Sequence, residues 1–142
     1  KVGNHQHIPE MERMLRQWGK GDHTVIFTPQ IVPMSRGILV TIYAKLRPGW
    51  SESDLRACWH DSYDQAPFIR LLDEGQWPHT KYVQGSNFCD LQLFIDKRTD
   101  MVVLAAAIDN LMKGAAGQAV QNLNLRMGWP ETTGLTLNPV YP

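Results

Sequence analysis

Residues 89–108, CDLQLFIDKRTDMVVLAAAI, carry the clearest structural signal in the chain. Residues 89–96 alternate apolar and polar side chains, residues 97–100 are short and polar, and residues 101–108 form the longest apolar run. Two such segments joined by a short polar turn are typical of a β-hairpin. We therefore predict that the two segments pair as antiparallel strands.

Four further segments have the composition of strands. Residues 24–28 are rich in β-branched and aromatic side chains, and residues 68–72 and 78–83 suit short strands. Residues 38–46 form a long apolar run, which predicts a central strand covered on at least one face. With the hairpin, the sequence predicts five or six strands.

Two amphipathic helices are indicated by apolar spacing and by capping residues. The first begins at about Pro9, because proline suits the first turn of a helix, and Gly19 ends it. Residues 20–22 then form a turn. The second begins after Ser51, an N-cap residue followed by Asp54, and we expect its Cys58 to be a small core residue rather than a nucleophile.

A third helix follows the hairpin, over about residues 112–128, and starts in the small-residue segment 113–117. Gly128 and Pro130 end it. Its predicted core-facing stripe consists of Ala116, Ala119, Val120, Leu123 and Met127. The remaining residues, 131–142, lack periodicity and are predicted to be a wrapping or loose tail.

These elements predict an α+β fold, with a mostly antiparallel or mixed sheet and helices packed on one face. The length of 142 residues suits a single domain. Helices on one face leave the other face of the sheet open, and a second copy of the chain could cover it. We therefore expect a homodimer or a tetramer.

Composition excludes several classes of protein. Lys plus Arg equals Asp plus Glu at 14 each, so no net charge attracts the chain to nucleic acid or to anionic membranes. No apolar run is long enough to span a membrane, and no targeting segment appears. Two cysteines are too few for a disulfide framework, which fits a reducing compartment. We expect a soluble, cytoplasmic protein.

Residues 4–10, NHQHIPE, hold the densest group of chemically active side chains. His5 and His7 are two apart, and Glu10 lies in the first turn of a helix, where the helix end stabilises an anion. Imidazole exchanges protons near neutral pH, which suits general acid–base catalysis. Taken alone, this spacing favours two surface histidines on a tail that precedes a helix. A metal site of two imidazoles and a carboxylate is a third, less supported alternative.

Four ordered motifs together resemble one known family. They are HQHIPE at residues 5–10, FTP through VPMSRG at residues 27–37, GSNFCD at residues 85–90, and AIDNLMKGAAGQAVQN at residues 107–122. Together they resemble the C-terminal half of the N-acetyl-γ-glutamyl-phosphate reductases, which are related to aspartate-semialdehyde dehydrogenase. The resemblance runs from His5 to about Leu135.

The resemblance implies a fold like the C-terminal domain of glyceraldehyde-3-phosphate dehydrogenase. It implies an enzyme of arginine biosynthesis that uses NADPH to reduce a small acyl phosphate, N-acetyl-γ-glutamyl phosphate, to a semialdehyde through a cysteine thioester. His7, or else His5, would be the acid–base residue, with Glu10 beside it. Arg36 would bind a carboxylate or phosphate of the substrate, or instead stabilise its own segment.

The resemblance also implies that essential parts lie outside this chain. Neither cysteine lies in the nucleophile context of the family, no glycine-rich dinucleotide fingerprint is present, and Gln30 stands where many members carry histidine. NADP would be held mainly by a missing N-terminal domain, while Gly114, Gly117 and Asn122 contact it from this chain.

We therefore expect residues 1–142 to be one catalytic and dimerisation domain of a longer protein, inactive alone and without a metal. The last helix would pack on the missing domain, so the apolar faces of the first and last helices should be exposed. The alternative is a non-catalytic dimerisation or interaction module with the same fold.

Overall fold

The predicted hairpin forms the centre of the sheet in a computed structural model, which describes residues 2–19 and 21–140. The predicted turn at residues 20–22 and the tail at residues 131–142 are thus described only in part. In chain order the elements are α1 (Ile8–Trp18), β1 (Ile38–Lys45), α2 (Glu52–Tyr63), β2 (Ile69–Leu71), a 3₁₀ turn (Thr80–Tyr82), β3 (Cys89–Asp96), β4 (Met101–Ile108), a π-helical turn (Met112–Ala116) and α3 (Gly117–Met127). None of the described helices is long and apolar enough to cross a membrane.

The chain divides into two compact units, Lys1–Met34 and Ser35–Pro142. In the first unit α1 forms as predicted, with Pro9 in its first turn. The predicted strand at residues 24–28 is wrong, because these residues belong to no strand. The described part of this unit has no strand to pair with it, and the Val25 N–H instead donates to Glu12 Oε1 at 3.1 Å. β-branched composition without a partner strand therefore gives an irregular segment.

The second unit contains a four-stranded sheet in the order β1-β4-β3-β2. The antiparallel hairpin of β3 and β4 is confirmed, with Cys89 opposite Ile108 and Asp96 opposite Met101. β1 pairs antiparallel with β4, and β2 pairs parallel with β3. The mixed sheet is confirmed, but the described residues form four strands rather than five or six.

Strand β1 lies at the edge of the sheet, so the expected central position of residues 38–46 is wrong. Seven of its eight residues are exposed, including Leu39 at 56% and Tyr43 at 68%. Only β4 pairs with it among the described residues, and α2 packs mainly on β2 and β3. The apolar composition of β1 therefore reflects a surface that this unit leaves uncovered.

Helix α2 begins with the predicted N-cap. Ser51 and Asp54 form a capping box, in which the Ser51 side chain accepts the Asp54 N–H and the Asp54 side chain accepts the Ser51 N–H. The expectation that Cys58 is a core residue is wrong, because Cys58 is exposed. The half-buried residues on α2 are instead Glu52, Leu55, Arg56 and Trp59, so the helix contacts the sheet along another line.

The segment at residues 78–83 is a 3₁₀ turn, Thr80–Tyr82, and not the predicted strand. Its N–H groups bond locally: Lys81 donates to His79 Nδ1 at 3.1 Å, and Tyr82 donates to His79 O at 2.9 Å. Val83, which follows, is fully buried. Local capping by His79 thus outweighs the strand propensity of Tyr82 and Val83.

Helix α3 forms where predicted and ends at Gly128, which has a left-handed φ of 70°. Its predicted core-facing stripe is wrong: the buried residues are Gly117, Gln121 and Asn124. Val120, Leu123 and Met127 are exposed at 39%, 51% and 54%. Apolar spacing identified the helix correctly but not the face that this unit buries.

The exposed stripe of α3 agrees with the expectation that the first and last helices present apolar faces. On α1 the corresponding residues Met14, Leu15 and Trp18 are 51%, 43% and 77% exposed. The tail wraps back on its own unit, because Leu135 is buried and the Val140 N–H donates to Gln84 O at 2.9 Å.

Candidate functional site

The first unit brings His5 and His7 together at the start of α1. Their ring centroids are 4.9 Å apart, and the His5 ring also packs edge-on against Phe27 at 5.0 Å. His7 is the N-cap residue of α1, and its N–H donates to His5 Nδ1 at 3.3 Å. The two rings meet across a turn that precedes α1.

The two histidines have different surroundings. His5 is half-buried, and one ring nitrogen is occupied by the His7 N–H, which requires that nitrogen to be unprotonated. His7 is exposed, and neither of its ring nitrogens has a hydrogen bond within the described residues. The arrangement leaves the His7 imidazole able to exchange a proton with a ligand.

Glu10 lies in the first turn of α1 and is exposed. Within residues 2–19 and 21–140, no hydrogen bond or ion pair joins Glu10 to either imidazole. The same described residues hold no group of three His, Cys, Asp or Glu side chains that could bind a metal ion. The metal alternative therefore receives no support from this segment.

The second unit holds Arg36 in an ion pair with a residue that the sequence did not single out. Arg36 lies two residues before β1, and Asp109 directly follows the neighbouring strand β4. Arg36 Nε is 2.8 Å from Asp109 Oδ2, and the Asp109 side chain is fully buried while that of Arg36 is 31% exposed. Arg36 is thus anchored at one edge and reaches solvent.

Asp109 is surrounded by hydrogen-bond donors. Its Oδ1 accepts the N–H groups of Leu111 at 2.7 Å and Met112 at 3.0 Å, and its Oδ2 accepts the Gly85 N–H at 2.6 Å. Burial by itself raises the pKa of Asp109, but these N–H groups and Arg36 outweigh it, and the pKa is lowered overall. Asp109 is therefore a buried anion that joins three separate segments.

The backbone beside Arg36 is held by Asn110, the residue after Asp109. Asn110 Oδ1 accepts the Gly37 N–H at 2.7 Å. Gly37 has a φ of 115°, and a Cβ there would come within 2.7 Å of Thr80 Cβ. Only glycine fits this conformation and this close contact, so both the backbone and the side chain of Arg36 are fixed by the end of β4.

The three residues expected to contact a cofactor lie on the π-helical turn and α3. Gly114 is exposed, and a Cβ there would make only ordinary contacts at 3.4 Å or more. Gly117 is buried, and a Cβ there would overlap Asn87 Oδ1. Asn122 is exposed, and its Oδ1 accepts from Gln118 Nε2 at 3.0 Å. Gly114 and Asn122 are open to a ligand, whereas Gly117 lets Asn87 approach.

A buried polar network lies behind this turn. Gln121 Oε1 accepts from Lys113 Nζ at 2.7 Å and from Asn87 Nδ2 at 2.9 Å, and Gln121 Nε2 donates to Glu131 Oε1 at 2.5 Å. Burial lowers the pKa of Lys113, opposed by the charges of Cys89 and Glu131. The network fixes the loop at residues 85–87 against α3.

Neither cysteine has the surroundings of an activated nucleophile. Cys58 lies exposed on α2. Burial raises the pKa of the Cys89 thiol, and the nearby Lys113 charge only partly opposes this. A raised thiol pKa disfavours the thiolate, which is the reactive form.

Comparison with known proteins places these features in a family. The model of the semialdehyde dehydrogenase dimerisation domain matches residues 1–110. Among curated relatives, the N-acetyl-gamma-glutamyl-phosphate reductases of Geobacillus stearothermophilus and Bacillus subtilis strain 168 are 51% and 49% identical over 142 residues, which is 100% of this chain. The reductase of a Staphylococcus saprophyticus strain is 48% identical over 141 residues. The chain spans 41% of the length of each of these relatives.

Proposed function

The chain belongs to the semialdehyde dehydrogenase dimerisation-domain family, and on that premise we propose that it is the substrate-binding and dimerisation part of an N-acetyl-γ-glutamyl-phosphate reductase. The parent enzyme would convert N-acetyl-γ-glutamyl phosphate to N-acetylglutamate 5-semialdehyde in arginine biosynthesis, in the cytoplasm. The observation that carries this proposal is the sequence identity of 51% and 49% to two such reductases over the whole of residues 1–142.

His7 is the proposed acid–base residue. Its ring is exposed and lacks a hydrogen bond within the described residues, whereas His5 accepts the His7 N–H and packs on Phe27. A residue that exchanges protons with a substrate needs a free ring nitrogen, so the contacts favour His7 for catalysis and His5 for positioning it. The proposed proton transfer serves a cysteine thiolate supplied by another part of the parent chain. Glu10 contributes negative charge in the same helical turn.

Arg36 is the proposed substrate-binding residue. The acyl phosphate substrate carries carboxylate and phosphate oxygens, and a guanidinium binds either group in a bidentate manner. Asp109 forms an ion pair with Nε of Arg36, and no hydrogen bond of the described residues uses the two Nη groups. The side chain is 31% exposed, so these Nη groups are available to an oxyanion.

The reduction requires a hydride, which NADP in its reduced form supplies when it is bound. We propose that a missing N-terminal domain holds most of this cofactor. From this chain, Gly114 and Asn122 are open for contact, and Gly117 contributes by letting Asn87 and Gln121 fix the turn. The exposed apolar stripe of α3 is proposed to pack on the same missing domain.

The proposed dimer interface is the open face of the sheet beside β1. Leu39, Tyr43 and Phe94 are exposed at 56%, 68% and 49%, and the register places Tyr43, Val103 and Phe94 in one row on one face. The family match includes this sheet and ends before α3. These facts support a homodimer, or a tetramer built from it, with a second copy on this face. No nucleic-acid or membrane partner is proposed.

The test is reductase activity of the parent protein. Full-length protein should oxidise NADPH when N-acetyl-γ-glutamyl phosphate is added, and residues 1–142 alone should not. Turnover by residues 1–142 alone would refute the claim that the nucleophile lies elsewhere. A full-length protein that dimerises but never oxidises NADPH with this substrate would instead favour the non-catalytic module.

A further inference from the structure

Asp109 lies at a junction of three segments of the second unit. Asp109 is fully buried, and its carboxylate joins Arg36, the Gly85 loop and the start of the π-helical turn. Each of these segments contains a residue proposed to meet a ligand or lies next to one. A buried anion at this junction can fix their relative positions.

The two carboxylate oxygens have separate partners. Oδ1 is occupied by the N–H groups of Leu111 and Met112, which fix the turn that follows β4. Oδ2 is shared by the Gly85 N–H and Arg36 Nε. Because every partner is a donor, an amide at residue 109 would turn an NH₂ group towards at least one of them.

The pairing uses only one side of the guanidinium. Contact at Nε holds the Arg36 head group in orientation and leaves both Nη groups without a partner among the described residues. The Gly37 N–H bond to Asn110 fixes the backbone at the same place. A long arginine side chain loses rotamer freedom when it binds a ligand. The Asp109 ion pair and the Asn110 hydrogen bond restrict Arg36 before the ligand binds, so less freedom is lost on binding.

We propose that Asp109 is a positioning residue for the substrate: it holds Arg36 by Nε so that the two Nη groups are preorganised to bind an oxyanion of the acyl phosphate. Asn110 assists by holding the adjacent backbone. This inference rests on the proposed function, since it assumes that Arg36 binds the substrate. Asp109 itself does not touch the substrate.

A second buried pair offers a matched control. Asp90 is also buried, and it binds Arg70 through Nε at 2.6 Å and Nη2 at 2.9 Å. Arg70 also donates to Tyr82 O and stacks on the Phe88 ring, so its head group is used within the fold. Asp90→Asn should therefore disturb folding as Asp109→Asn does, without affecting substrate binding.

The experiment measures KM for the acyl phosphate and kcat in the full-length reductase. Asp109→Asn should raise KM by about tenfold or more, because the ion pair that orients the Arg36 guanidinium for the substrate is lost. In an Arg36→Ala background the same substitution should change KM little, because the residue that it positions is absent. Asp90→Asn should leave KM near the wild-type value.

Three results would overturn the proposal. One is a KM that Asp109→Asn leaves unchanged while Arg36→Ala raises it, which would refute the positioning role and spare the proposed function. Another is an equal rise of KM in both backgrounds, which would make Asp109 merely structural. If Arg36→Ala itself leaves KM unchanged, substrate binding by Arg36 fails, and the positioning role fails with it.

If Asp109→Asn does not fold, Asn110→Ala provides the second variant. It removes only the acceptor of the Gly37 N–H and leaves the buried charge pair intact. KM should rise several-fold, because one hydrogen bond that holds the backbone beside Arg36 is lost. This rise should again be seen only when Arg36 is present. An unchanged KM in this variant would also contradict the proposed positioning of Arg36.

Discussion

Replacement of Tyr43 by aspartate in the full-length protein should break the proposed dimer. Tyr43 is 68% exposed on the sheet face that also carries Phe94. An aromatic side chain has about 150–250 Å² of surface, so Tyr43 offers about 100–150 Å² for burial by a partner. At about 25 cal/mol per Å², burial of Tyr43 contributes about 3 kcal/mol per copy. A twofold interface buries one Tyr43 from each copy, so the contribution to the dimer is doubled.

The added carboxylates also lose hydration in the interface, which increases the effect. The dimer dissociation constant should therefore rise by about 1,000-fold or more, and sedimentation equilibrium would show monomers at micromolar concentration. Tyr63→Asp is the control, because Tyr63 is an exposed aromatic residue on α2 and not on a strand of the sheet. A Tyr43→Asp protein that dimerises as tightly as the Tyr63→Asp control would refute the proposed interface.

Three further predictions concern the second unit and use the full-length protein. Gly117→Ala should lower the free energy of unfolding, measured in urea, by about 2 kcal/mol or more, because its Cβ would overlap Asn87, whereas Gly114→Ala should change it by less than about 1 kcal/mol. The stability that Asp109 supplies should be present above about pH 4 and be lost as the pH falls through its lowered pKa. Below about pH 4, the urea midpoint of Asp109→Asn should therefore depend less on pH than the urea midpoint of the wild type. Ser51→Ala should cost about 1 kcal/mol in urea unfolding through loss of the capping box, and Ser62→Ala should cost less.

The elements that the sequence predicted well carry their own boundary signals. The hairpin of β3 and β4 formed with its predicted ends because a polar turn separates an alternating segment from an apolar segment of equal length. α2 began at its capping box, and α3 ended at Gly128, where a left-handed φ is required. These signals are local, so no knowledge of the rest of the fold was needed.

The failures occur where burial depends on a distant partner. The pattern at residues 24–28 suits a strand, but the described part of its unit offers no neighbouring strand. The apolar stripe of α3 faces outwards, and Gln121 and Asn124 are buried because they bond to Asn87, Glu131 and Thr133. A rule that assigns apolar residues to the core assumes that the chain covers its own apolar surfaces.

The candidate site was predictable only in part. The sequence pointed to His5, His7 and Arg36, and the structure brings the two histidines together and anchors Arg36. Asp109 was missed, because one aspartate after a strand is a common feature. Its position directly before the turn that opens α3 was the available signal, since aspartate often accepts N–H groups at such starts.

The acid–base role of His7 is the central claim, and single-turnover phosphate release tests it most directly. Full-length His7→Ala, mixed with acyl phosphate, should release phosphate about 100-fold or more slowly than wild type, while its affinity for NADPH stays unchanged. His5→Ala should have a smaller effect, because His5 contacts His7 and Phe27 and positions the catalytic ring. Phosphate release at the wild-type rate in His7→Ala would contradict the account.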